Sequence, residues 1–178
     1  MRKLVEYVLI SADGIFESPP NWGALGFRDD AYLRDGLGLL EASDAMLMGR
    51  KMYESSARIW PTRSEPWARR LNAMKKYVFS STLKKADWNN TIIIPGDAAA
   101  EVAKLKAQEG PNLLIWGHTS LAESLFRRQL VDVLDLSIHP IMVGKGKPFF
   151  REGLSANLKL VAAKSFSKIV KLSYEPQY

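Results

Sequence analysis

The stretch Asp44-Ala-Met-Leu-Met-Gly49-Arg50-Lys51-Met52-Tyr53-Glu54 reads as an apolar buried strand that ends in glycine and runs at once into a helix opened by a basic residue. Glycine at such a turn lets a ligand approach the backbone. The helix start beyond it offers free N–H groups and the positive end of a dipole, a setting suited to phosphate. Arg50 adds a planar fork of donors that fits a second phosphate. By itself the segment announces only an anion site.

Two stretches downstream repeat the arrangement. In Lys76-Tyr77-Val78-Phe79-Ser80-Ser81-Thr82-Leu83 an apolar strand empties into three hydroxyls. These suit a ribose or phosphate at the carboxyl end of a parallel strand, and equally they suit the capping of a turn. In Leu113-Leu114-Ile115-Trp116-Gly117-His118-Thr119-Ser120-Leu121-Ala122-Glu123 a buried strand again meets glycine and a helix start. Ser120 with Glu123 fits a capping box. Alternatively, Gly117 admits a pyrophosphate to Thr119, Ser120 and the neighbouring N–H groups. A lone glycine of this kind is weak evidence. Three strand ends of the same character weigh more.

Strands and helices alternate along the chain. The pattern predicts strands over 3–10, Ala45–Met48, Tyr77–Phe79, Thr91–Ile94, Leu113–Trp116 and Val131–His139. It predicts helices over Asp29–Glu41, Arg50–Ala57, Trp67–Met74, from an Asp97 cap to Gln108, and over Ser120–Arg128. A Gly-, Pro- and Trp-rich loop fills Ser11 to Arg28, and Lys159–Lys164 with Ile169–Tyr174 forms a closing hairpin. The expectation is one α/β domain over 1–178 with a mainly parallel sheet and an antiparallel edge.

Composition narrows the function classes. The 178 residues are 47% hydrophobic and include 5 Trp, enough for a sizeable core, and the absence of Cys suits a reducing cytoplasm. No apolar run approaches the roughly 20 residues of a membrane span, and no export signal opens the chain. The net charge of +6 is scattered over Arg34, Lys75, Lys76, Lys84, Lys85, Arg127 and Arg128, with no basic block or RNA-binding signature. Nucleic-acid and membrane partners are not expected, whereas a positive field suits a phosphate-bearing ligand. With 2 His and no clustered carboxylates, no metal site is expected, and no serine or cysteine nucleophile can be assembled.

Taken in order, Met-Gly-Arg-Lys-Met-Tyr-Glu-Ser (48–55), Val-Phe-Ser-Ser-Thr-Leu (78–83), Trp-Gly-His-Thr-Ser-Leu-Ala (116–122) and Leu-Val-Asp (130–132) resemble the dihydrofolate reductase superfamily. The Ser-Ala-Asp-Gly end of the first strand (11–14) and Leu-Ser-Ile-His-Pro-Ile-Met-Val-Gly-Lys-Gly-Lys-Pro-Phe-Phe (136–150) are more similar to the reductase domain of the bacterial riboflavin-pathway deaminase-reductase and its stand-alone relatives. The resemblance spans nearly the whole chain. It implies a dihydrofolate-reductase-like three-layer fold, with an eight-stranded, mostly parallel sheet and flanking helices. It also implies NADPH across the strand ends and hydride transfer to a small heterocyclic molecule.

Carried over by position, the resemblance puts Gly49, Arg50 and Lys51 on the cofactor, with Arg50 at the adenosine 2′-phosphate. Ser80, Ser81 and Thr82 would lie along the adenosine, Trp116 beside the cofactor, and Gly117, His118, Thr119, Ser120 and Leu121 on the pyrophosphate. Ser11 and Ala12 would border the nicotinamide, with the loop after them as a lid. Asp13 is the candidate proton donor, and its plain alternative is an Asp-Gly turn. Tyr53, Ser56, Trp60 and Ser137 are substrate-side candidates, with packing or backbone bonding as the alternatives.

The place where folate reductases carry a pterin-binding carboxylate falls near Leu33, between Asp30 and Asp35. Asp30 is kept as a substrate candidate. A helix-start charge for Asp30 and a solvated face for Asp35 are the simpler accounts. Trp116 and His118 stand where folate reductases show glycines, and Met52 where they show threonine. Trp116 either narrows the pocket or packs beneath the sheet. True dihydrofolate reduction and a non-catalytic nucleotide-binding or dimerising module are the alternative functions, and the resemblance implies a homodimer.

Overall fold

The computed structural model describes residues 1–178. Eight strands and five α-helices follow the predicted alternation: β1 (Leu4–Ser11), α1 (Asp30–Glu41), β2 (Ser43–Gly49), α2 (Arg50–Ala57), α3 (Pro66–Ala73), β3 (Lys75–Phe79), β4 (Thr91–Ile94), α4 (Ala98–Ala107), β5 (Asn112–Trp116), α5 (Ser120–Arg127), β6 (Val133–His139), β7 (Asn157–Ser165) and β8 (Val170–Gln177). They form one sheet in the order β4-β3-β2-β5-β1-β6-β8-β7. Neighbours from β4 to β6 are parallel, while β8 pairs antiparallel with β6 and with β7.

Period-two alternation along the strands divides the core between two faces. On one face Tyr7, Leu9, Met46, Met48 and Val78 pack with Leu40 of α1, Tyr53 of α2 and Leu71 of α3. On the other, Leu4, Leu47, Leu113 and Ile115 pack with Val102 and Leu105 of α4 and Leu125 of α5. Helices on both faces of a mostly parallel sheet make the expected three layers. No helix is long and apolar enough to cross a membrane.

Local chemistry adjusts three expectations. Asp29 caps α1 instead of joining it, its carboxylate accepting the Tyr32 N–H at 2.7 Å. Thr119, not Ser120, caps α5, its hydroxyl accepting the Ala122 N–H at 3.3 Å. No capping box forms, because Glu123 turns to Arg127 and Arg151. Asp35 is not on a solvated face: it pairs with Lys164 and with the buried Lys171, and its side chain is 13% exposed. The loop between β1 and α1 contains two short 3-10 turns, Pro19–Trp22 and Ala24–Phe27.

Strand order is what positions a site. Because β3, β2, β5 and β1 lie side by side and parallel, their carboxyl ends open on one edge of the sheet, where ligands of open α/β sheets bind.

Candidate functional site

A groove of about 1780 Å³ runs along that edge. Gly49, Arg50 and Lys51 after β2, Ser80 and Ser81 after β3, and Trp116 to Leu121 after β5 all line it. Three turns far apart in the chain therefore share one cleft, larger than the roughly 300–1,000 Å³ of ordinary small-molecule pockets.

The two glycines serve different ends. Gly117 has φ of +82°, a left-handed conformation that side chains rarely adopt, and a Cβ there would lie 3.5 Å from the Met52 methyl. Gly49 has ordinary extended backbone (φ −81°), and a Cβ built on it would meet nothing within 4 Å. Neither conformation nor packing demands glycine at 49. The space a side chain would fill belongs to the groove, which fits close approach by a ligand.

At the start of α5, Thr119 satisfies the Ala122 N–H, while Ser120 and Leu121 face the groove at helix positions whose N–H groups have no helical carbonyl to pair with. Arg50 opens α2, bonding Glu54 through Nε at 2.6 Å and the Thr82 hydroxyl through Nη1 at 2.9 Å. The guanidinium thus spans the β2 and β3 turns. Thr82 does not itself line the groove and acts through this contact. The Ser80 hydroxyl accepts the N–H groups of Thr82 (3.2 Å) and Leu83 (3.0 Å), so the turn-capping account of this hydroxyl holds alongside its place on the groove.

His118 is committed elsewhere. Its Nδ1 lies 2.6 Å from Glu6 Oε1, both side chains are buried, and its ring meets Phe16 and Phe149 edge-on at 5.0 and 4.7 Å. The other polar atoms of the pair, His118 Nε2 and Glu6 Oε2, have no protein partner.

Several sequence candidates lie off the groove. Ser11 is buried, donating to Asp13 at 2.5 Å and accepting the Ile15 N–H at 2.8 Å, while Ala12 donates its N–H to Ile141 at 2.8 Å. The Asp13 carboxylate also accepts the N–H groups of Val143 (3.1 Å) and Gly144 (2.7 Å). The Ser11 hydroxyl, followed by the Gly144 and Val143 amides, holds Asp13 down at about 2. A carboxyl so held is ionised near neutrality and has no proton to give. The expectation of a proton donor at Asp13 gives way to that of a clamp joining the end of β1 to the segment after β6. Tyr53 is a core residue, its hydroxyl accepting the Trp88 N–H at 3.1 Å. Ser137 is fully buried and bonds the Tyr32 hydroxyl at 2.8 Å. For these two the packing alternatives hold.

Asp30, Ser56 and Trp60 do line the groove. Leu33, near which the resemblance put the pterin-binding carboxylate, lines it too, and sequence reasoning missed Leu37 and Trp67, which join Leu33, Trp60 and Trp116 in an apolar wall, and Lys147 and Arg151 from the late loop. The available signal was Gly36, a glycine inside a helix, which marks a close approach by another side chain. Trp116 narrows the groove: its ring lies 5.3 Å from Trp67 and 6.3 Å from Trp60.

Comparison with known proteins gives a consistent result. The family model described as RibD C-terminal domain matches residues 2–172. The uncharacterized protein YyaP of Bacillus subtilis (strain 168) is 31% identical, with 97% of this chain and 94% of that protein aligned. Among solved structures, a putative riboflavin biosynthesis protein from Shewanella sp. PV-4 superposes with a TM-score of 0.77 at 18% identity, covering 99% of each chain. A Thermotoga maritima diaminohydroxyphosphoribosylaminopyrimidine deaminase/5-amino-6-(5-phosphoribosylamino)uracil reductase gives a TM-score of 0.68 at 13% identity, over 99% of this chain and 57% of that one.

Proposed function

The chain belongs to the RibD C-terminal domain family, and from that premise we propose that it is an NADPH-dependent reductase that transfers a hydride to a small heterocyclic substrate. The reaction would resemble that of the riboflavin-pathway 5-amino-6-(5-phosphoribosylamino)uracil reductase. The observation that carries the reading is the convergence of the β2, β3 and β5 turns on one groove, with the Cβ space at Gly49 left open. Ser120 and Leu121 at the start of α5 would hold the pyrophosphate, Ser80 and Ser81 the adenosine side, and Arg50 the 2′-phosphate. A reduced nicotinamide, when bound, supplies the hydride. The chain's part is to orient the reactants and exclude water, with the segment from Phe16 to Pro20 along one side of the groove as the lid. With Asp13 ionised and clamped, the accompanying proton comes from solvent.

Titration with NADPH, followed by nucleotide fluorescence, tests this directly: no binding at high micromolar cofactor ends the reductase reading. Arg50→Ala should weaken NADPH about tenfold or more, the scale of a lost charged hydrogen bond, and leave NADH nearly unchanged. Equal losses for both would remove Arg50 from the 2′-phosphate.

One observation favours a second reading, a non-catalytic nucleotide-binding module: the carboxylate nearest the end of β1 is tied up in structure. NADPH binding without turnover across a set of pyrimidine and pterin substrates would select it. A homodimer in the cytoplasm is part of the main proposal, and light scattering on the purified protein decides the assembly.

A further inference from the structure

We propose that the α1 side of the groove, between Leu33 and Leu37 and the indoles of Trp60, Trp67 and Trp116, is the substrate pocket, and that it takes a flat, weakly polar aromatic ring carrying one anionic group, held by stacking rather than by hydrogen bonds around its edge. The inference rests on the dinucleotide reading of the other half of the groove, and it narrows the proposed heterocyclic substrate to a flat ring without the sugar phosphate that the riboflavin-pathway reductase's substrate carries.

The wall is built into the fold. Trp116 ends β5 and lies edge-on to Tyr7 at 6.1 Å, tilted by 31° to Trp60 and by 52° to Trp67. Trp67 enters from α3 and donates its indole N–H to the Leu33 carbonyl at 3.2 Å, so its polar atom is satisfied within the protein. It can sit there because residue 36 is glycine: a Cβ on Gly36 would lie 2.5 Å from the Trp67 ring. Glycine inside a helix is unfavourable, and α1 tolerates it at the one point where the indole crosses. Leu33 and Leu37, one turn apart on α1, present aliphatic surface to the same space, as does Ile59.

Apart from Ser55 and Ser56, the polar side chains on this side of the groove are the charged ones at its rim, and the wall between them is apolar. The Ser56 hydroxyl turns to the Met52 sulfur at 3.7 Å. A sugar chain with several hydroxyls would give up water on entering and find few partners in return, which disfavours it. A π-face loses little and gains contact with indole faces, which stack on any flat ring.

The rim supplies the charge. Arg28, Arg34 and Arg63 line the groove together with Asp30 and Glu65, leaving positive charge in excess. Arg63 is engaged, lying over Trp60 at 5.5 Å with Nη1 3.3 Å from Glu65. Arg28 and Arg34 differ: neither is paired with a carboxylate of the chain. Unpaired guanidinium groups there suit an anionic substituent.

Isothermal titration calorimetry without cofactor, using 2-naphthoate, 2-naphthol and uridine 5′-monophosphate as probes, tests the pocket. The expected order is naphthoate tightest, naphthol weaker for want of the charge, and the nucleotide weakest. Trp60→Ala should weaken naphthoate about tenfold, the scale of one lost stacking platform, and Trp60→Phe should restore most of it. NADPH affinity should be unchanged by Trp60→Ala, and naphthoate should not displace NADPH. No binding of naphthoate, tighter binding of the nucleotide, indifference to Trp60→Ala, or competition with NADPH would each overturn the proposal. Absence of NADPH binding by the wild-type protein is a separate result: it removes the dinucleotide reading, while the naphthoate titration still decides the stacking pocket.

Discussion

At Asp13, one carboxylate draws together donors from two distant parts of the chain: the Ser11 hydroxyl beside it and the amides of Val143 and Gly144, 130 residues on. These bonds favour the ionised form and hold the group at about 2, below its ordinary 3.8. The sign of the linkage follows. A depressed carboxyl contributes stability that is complete above its unfolded value, near 4, and is lost as pH falls through about 2. Asp13→Asn should therefore lower the melting temperature at pH 7, with the gap to wild type closing toward pH 2. A gap that stays constant with pH would show that the charge is irrelevant. The Asp-Gly pair was legible as either a turn or a reactive carboxylate. Its sequence neighbours could not decide between them, because the deciding amides come from the far side of β6.

For the elements, the start of α5 makes the sharpest case. From sequence the Ser120–Glu123 spacing pointed to Ser120 as the cap. The chain instead leaves β5 through Gly117 and reaches Thr119 with extended backbone (φ −114°, ψ 171°), the conformation of an N-cap, so the Thr119 hydroxyl meets the Ala122 N–H. Thr119→Ala should cost about 1 kcal/mol in urea unfolding, whereas Ser120→Ala should stay within about 0.5 kcal/mol. The reverse ranking would restore the capping box. Trp60 and Trp116 sit beside recognisable motifs. Trp67 is recognised only once Gly36 is seen to make room for it.

Across the whole molecule, α1 is fastened to the antiparallel edge by a buried ionic cluster. Lys171 of β8 lies 2.6 Å from Asp35 of α1 and 3.1 Å from Asp135 of β6, while Lys164 of β7 also reaches Asp35 and Ser173 bonds Asp135. Burial alone would lower the Lys171 pKa, but Asp135 and Asp35 outweigh it and raise it. Lys171→Met would leave two largely buried carboxylates without their shared cation and should cost about 3–5 kcal/mol in chemical unfolding. A loss under about 1 kcal/mol would mean that water reaches the cluster. Asp35 looked like a surface charge because helix position alone does not say which neighbour covers a face. The sequence by itself determined the alternation of strands and helices, the three glycine- or hydroxyl-ended strands and the closing hairpin, since periodicity and turn chemistry act over a few residues. Only the tertiary structure decided that β3, β2, β5 and β1 lie side by side, that their turns share one groove, and that Asp13, Tyr53 and Ser137 belong to the framework. Those outcomes rest on pairings between residues far apart in the chain, whose partners no local pattern encodes.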